Sequence, residues 1–428
     1  VFTGIASSAN PGSRGDAGSV GIESKSLKVV GGGEISSATF AEGKAGIVQV
    51  KADRLLIDGT GSEFFTGIAL DANSGSQGDA GLVDIESKSL KVVSGGGISS
   101  NTFAEGDAGT VQVKADHLLI DRKGSKFFTG IESSAAEGSK GKAGDLEITA
   151  QTLRILNGAE ISTAIFSEKP GGSIKINSPA ISLGNNAIIA ADSFSGAKSG
   201  DITINGGSQS ANHAIRLNNG SLITAQNWVS GESGSITIKT LGTLVLQNNS
   251  GVTVTTQEGK AGDIAINTGK LFYLLDKSFL TTSAADGEGN GGNIRINPLS
   301  NPTFTVLDDS SIKATAKEGR GGNITVSTRY FLPSTDSVID ASSQFNIDGK
   351  LTINSTYANI AGSIAVLPDN FHNASNLLHE GCGFRFDENS SSLTATSMQG
   401  LIGASPDSPA NYLPALLASC LPNPAAED

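Results

Sequence analysis

The chain has 428 residues, 55 of them Gly, with 17% charged residues and a net charge of −12. That balance excludes a nucleic-acid binder, which needs a basic stripe to neutralise phosphates. No run of about 18 apolar residues occurs, so a chain that does not span a membrane is expected, and Val1 opens no leader pattern.

One phrase recurs along the chain: a tight turn ending in Gly, then an aliphatic–polar–aliphatic triplet. Its Gly falls at Gly18, Gly46, Gly81, Gly109, Gly144, Gly172, Gly200, Gly234, Gly262, Gly292, Gly322 and Gly349, at spacings of 28, 35, 28, 35, 28, 28, 34, 28, 30, 30 and 27 residues. A period this short and persistent marks a repeat architecture.

The first third is a tandem duplication. Phe-Thr-Gly-Ile recurs at Phe2, Phe65 and Phe128, in steps of 63 residues, and Asp16–Thr66 differs from Asp79–Thr129 at 11 of 51 positions. Polar positions drift (Gly21 to Asp84, Lys44 to Asp107, Arg54 to His117, Glu63 to Lys126). The aliphatics Val20/Val83, Ile22/Ile85, Leu27/Leu90, Val48/Val111 and Leu55/Leu118 do not. Drift at one set and none at the other separates outside from inside.

Each unit carries three strand signals. Aliphatics stand two and four residues after every turn Gly, as in Val48/Val50, Leu146/Ile148 and Ile264/Ile266, the period of a strand with one buried face. A second pair follows about nine residues after the Gly (Leu27/Val29, Leu153/Ile155, Leu244/Leu246), and a third signal is a short run such as Ile161–Thr163 or Leu280–Thr282. Turns this short leave no room for crossover helices, so like strands stack from unit to unit. The prediction is an all-β parallel β-helix of about twelve three-stranded coils over residues 1–361, spanning roughly 55 Å.

Residues 206–213 read as an inserted loop. Beyond Gly362 the composition shifts to Pro406, Pro409, Pro414, Pro422 and the serines 390–392, so 362–428 reads as a C-terminal cap and tail covering the last coil. Val1 corresponds to Phe64 and Phe127, inside a repeat, and the chain is expected to be a fragment of a longer protein.

The polar constellations read as structural. Asn177, Asn205, Asn267, Asn297 and Asn354 recur five residues after the turn Gly, suited to an amide stack or a turn. Glu42, Glu105, Glu168, Glu258, Glu288 and Glu318 stand four residues before it. The last three could present stacked oxygen ligands to Ca²⁺, although Lys260, Lys317 and Arg320 beside them make a solvated mixed-charge turn the simpler reading. His117, His213, His372 and His379 have no metal-binding spacing. Asp201 and Asp263 share a repeat position with Ser235 between them, and Asp308–Asp309 is an isolated pair, so no catalytic residues and no cofactor are expected. Cys382 and Cys420 permit one disulfide and give no metal-binding pattern.

The phrases Gly-Gly-Asn-Ile-Arg-Ile-Asn (291–297), Gly-Gly-Asn-Ile-Thr-Val (321–326) and Asp-Ser-Ser-Ile-Lys-Ala-Thr-Ala (309–316) resemble the repeats of filamentous-haemagglutinin-type exoproteins of two-partner secretion systems, especially the large cyanobacterial ones. The tail, with Gly381-Cys382, Ser391-Ser392-Leu393 and Gly400-Leu401, is similar to that family's C-terminal end, with Met398-Gln399-Gly400-Leu401-Ile402 where the family has an Arg-Gly-Gly-Leu-Pro-like phrase. The resemblance implies a right-handed β-helix, secreted through an outer-membrane β-barrel transporter and used at the cell surface, commonly in adhesion. In that setting Cys382 and Cys420 are expected to pair.

The leading expectation is therefore a secreted structural adhesin segment, not an enzyme, with an unassigned surface or glycan ligand. The alternative is a β-helical polysaccharide-active enzyme or a carbohydrate-binding scaffold. Scattered acidic residues favour the first; acidic residues gathered in one groove favour the second.

Overall fold

A computed structural model describes residues 3–207, 214–298 and 304–358, all within the unit Val1–Gly362. Cys382, Cys420, His213, His372, His379 and the proposed cap lie outside the described residues. The described chain is all β, with parallel strands stacked as a solenoid of about twelve turns.

The repeat register sets the stacking. Leu146 lies between Val111 and Ile174, and Ile148 between Val113 and Ile176. The same pairing carries Ile264 onto Ile294 and Ile324 onto Leu351. The aliphatics two and four residues after the turn Gly form one continuous core from Val20 to Val326. Leu351 and Ile353 of the last described coil are exposed. The polar residues between them, such as Glu147 and Lys175, face solvent.

The expected three strands per coil hold only in the middle. In the five coils from Val20 to Leu156 the first two strands run on as one, of 11 or 12 residues (Ile47–Asp58, Leu82–Val93). They separate where Pro179, Gly206, Gly242 and Gly269 interrupt the ladder between them. Pro lacks the N–H that a ladder needs, and Gly weakens a strand interior.

The turn Gly is required by close approach. A Cβ on Gly144 would fall on the carbonyl oxygen of Gly109, and each turn Gly from Gly46 to Gly349 meets its predecessor in the same way. Inside the coil a hydroxyl of the third strand ties to this turn: Ser100 Oγ donates to Gly81 O (2.8 Å) and Ser133 Oγ to Gly109 O (2.6 Å).

Two sets of side chains staple coil to coil. Asp145 Oδ1 accepts the Ser173 N–H (2.7 Å), Asp201 the Ser235 N–H (2.7 Å) and Asp263 the Asn293 N–H (2.8 Å). Asn205 Nδ2 donates to Asn177 Oδ1 (2.9 Å), one link of the expected amide stack, which Lys239 and Ser327 interrupt. A second amide ladder stands at the corner before the third strand, where Asn185 donates to Asn157 (2.9 Å) and Asn219 to Asn185 (2.9 Å). These residues hold φ near +55°, a conformation Asn tolerates better than most residues.

Candidate functional site

The third strands form one twelve-stranded sheet. Their inward residues Ile68, Ile98, Ile131, Ile161, Ile189 and Ile223 are fully buried. Their outward residues should be exposed by the alternation rule, yet Ser99, Ser162 and Thr224 are also buried. Strands Thr66–Ala69 and Gly96–Ser99 are buried at every position.

Two aromatic borders flank this floor of small residues. On one side Phe65 lies against Gly97 and Phe128 against Gly130, so closely that a Cβ on either Gly would meet the ring. On the other side stand Phe40, Phe103, Phe166, Phe194 and Trp228, each six residues before its turn Gly and each 39–49% exposed. Phe166 stacks on Phe194 (4.7 Å between ring centres, 9°) and Phe194 on Trp228 (6.1 Å, 2°). Phe194 is thus stacked between Phe166 and Trp228. We call this aromatic-bordered strip of small residues along the third strands the trough.

Four carboxyl groups lie in it. Asp71 Oδ1 accepts the Asn101 N–H (3.0 Å), Asn101 Nδ2 donates to Glu132 Oε1 (2.8 Å), and Asn101 Oδ1 accepts the Ser134 N–H (2.8 Å). Asn101 thus links two acids from coils on either side of its own. Glu160 follows on the next coil, its backbone paired with Gly130. Asp192 is buried and accepts from Thr224 Oγ1 (2.9 Å), Gln226 N–H (2.8 Å) and Trp228 Nε1 (3.3 Å).

Loss of solvent dominates the electrostatics. Burial pushes the Asp71 carboxyl up to about 6, with the charge of Glu34 adding to it and the Asn101 N–H opposing. Burial likewise raises Glu132 to about 7, helped by Asp71 and Glu160 and opposed by Asn101. Glu160 and Asp192 are also raised, burial first. Near neutral pH the trough holds a mixture of carboxylic acids and carboxylates, able both to donate and to accept hydrogen bonds.

The positions weighed from sequence fall elsewhere. Asp201 and Asp263 are coil-to-coil acceptors, as above, and Asp308 and Asp309 are exposed at a turn. His117 is exposed, its Nδ1 2.9 Å from Thr152 Oγ1. Gly259, Gly289 and Gly319 stack, which puts Glu258, Glu288 and Glu318 in register. Among the described residues, however, no group of three or more His, Cys, Asp or Glu is arranged to hold a metal ion.

The sequence reading missed the trough. Its signals were present: the aromatic six residues before the turn Gly, and a cluster of differences between the duplicated copies. Glu34 becomes Gly97 and Ala38 becomes Asn101; one step further on, Ala69 becomes Glu132 and Asp71 becomes Ser134. Drift on this face looks, in sequence, like that of an ordinary exterior. Comparison with protein families, with curated proteins and with solved structures gave no match.

Proposed function

We propose that this β-solenoid is a secreted attachment scaffold of the cell surface whose third face holds an extended, hydroxyl-rich polysaccharide. The observation that carries the reading is the Asp71–Asn101–Glu132 network set between two aromatic borders. Sugars offer hydroxyls that donate and accept, and apolar C–H surface that buries against exposed aromatic rings. A trough of partly protonated carboxyls, amides and hydroxyls matches the first, and Phe103, Phe166, Phe194 and Trp228 match the second. A polyanion is disfavoured by the same carboxylates and by the net charge of −12. Secretion through an outer-membrane β-barrel transporter rests on the likeness of the repeats to two-partner exoproteins, and adhesion extends that likeness.

A second reading is favoured by one observation, the raised Glu132 next to the raised Glu160. A carboxylic acid protonated near neutrality beside a second carboxyl is the pair that glycoside hydrolysis uses. Incubating the chain with neutral polysaccharides separates the two. Attachment predicts protein retained on the polymer with no new reducing ends. Hydrolysis predicts reducing ends that disappear in Glu132→Gln. No retention and no reducing ends across a broad panel would reject both.

A further inference from the structure

A different face carries a second surface. Along the bend of the long strands runs a notch of about 620 Å³ whose floor is Ser24, Ala52, Ser87, Ala115 and Ala150. One flank is the column Glu23, Lys51, Glu86, Lys114, in register from coil to coil. The other is Lys25, Asp53, Lys88, Asp116, each two residues further along its strand. Charge alternates down each flank and is opposite across the notch in every row. All eight side chains are exposed. The fifth row, Thr149 and Gln151, is neutral and ends the pattern.

Alternation has a local cause, because a parallel in-register stack would otherwise place like charges about 4.8 Å apart. The middle rows use it: Lys51 pairs with Glu86 (3.8 Å) and Lys88 with Asp53 (2.8 Å). The outer rows do not. Among the described residues no ion pair reaches Glu23, Lys25, Lys114 or Asp116. Those four charges stand at the two ends of the checkerboard without a close ion pair, Asp116 acting only as a more distant charge on Lys88.

We propose that this face pairs with the same face of a second copy of the chain. The pattern is its own complement under a two-fold axis. With coils running the same way, each flank meets the opposite flank of the partner copy, and Glu23 faces Lys25, Lys51 faces Asp53, Glu86 faces Lys88 and Lys114 faces Asp116. With coils running oppositely, each flank meets itself reversed, and Glu23 faces Lys114 while Lys25 faces Asp116. Either arrangement supplies partners to all four unpaired charges. Exposed ion pairs are individually weak, so the association is weak and dissociates with salt. Side-by-side pairing would double the polysaccharide-binding faces engaged at one surface, although the pairing itself does not depend on that reading.

Sedimentation of the chain at low and high ionic strength, with two charge-reversed forms, tests this. The native chain is expected to shift toward dimer at about 20 mM salt and to be monomeric at about 500 mM. Lys51→Glu/Lys114→Glu makes the first flank wholly acidic, and Asp53→Lys/Asp116→Lys makes the second wholly basic. Each alone is expected to self-associate at least about tenfold more weakly, because like charges then meet. Mixed together, they regain association if the coils run the same way and stay apart if they run oppositely. A native chain that is monomeric at low salt, or variants with unchanged folding that dimerise as the native chain does, would overturn the proposal.

Discussion

Asp145 shows how little a residue's chemistry reveals before its neighbours are known. Beside Glu147 it looks like half of a catalytic pair, but it accepts the N–H of Ser173 in the next coil and holds the stack together. Asp145→Ala removes that acceptor at an exposed site and is expected to cost about 0.5–1.5 kcal/mol in a denaturant melt. Ile264→Asp buries an unpaired charge in the continuous core and should cost about 3–5 kcal/mol. A melt in which Ile264→Asp is as stable as the parent would contradict the inside/outside assignment.

The trough carboxyls act in the opposite sense. Asp71 and Glu132 titrate near 6 and 7 when folded, against about 4 for both types when unfolded. The folded state therefore binds more protons than the unfolded state between these values. The stability they contribute is full below about pH 4, falls as pH rises, and is lost above about pH 7. Each is worth on the order of 2–3 kcal/mol over that window. Urea melts between pH 4.5 and 8 should show this decline, and Glu132→Gln, which stays neutral, should flatten much of it. A stability that rises with pH through this window would contradict the burial assigned to these groups.

The elements of this fold are made at their junctions. The turn Gly sits against the carbonyl oxygen of the preceding turn, so Gly144→Ala must push two coils apart although alanine is the smallest change available. It is expected to destabilise more than Asn185→Ala, which removes two links of an exposed amide ladder at about 1 kcal/mol each. Limited proteolysis should then cut Gly144→Ala first near its turn. The aliphatic spacing and turn Gly made the strands legible from sequence, because the core depends on nothing else. The fusion of first and second strands was not legible, since it depends on where Pro179 and Gly206 break the ladder. The second amide ladder was hidden because its positive φ is a property of the corner, and Asn there looks like any turn residue.

At the scale of the whole molecule, each coil touches only its neighbours, so stability adds along the axis and function comes from what repeats in register. Core positions repeat every coil and were readable from Val20 to Val326. The trough does not repeat. Asp71 and Asp192 share one register position, just before the bridged residues Ala72 and Ser193, while Glu132 and Glu160 stand at two others; they come onto one face only because the third strands stack, which is why no single motif contained them. The proposed lateral pairing through the charged notch and the proposed polysaccharide binding through the trough would use separate faces and can be tested separately.

The central claim is that the third face binds polysaccharide. The chain's single tryptophan, Trp228, stands on the border of that face with half its surface exposed. Titration with neutral polysaccharides followed by intrinsic fluorescence should give a saturable change in the tryptophan emission, weakened in Glu132→Gln and unaffected by Lys175→Ala on another face. Polysaccharide that is retained by the chain while the Trp228 emission stays constant, or a chain that retains none, would contradict the account.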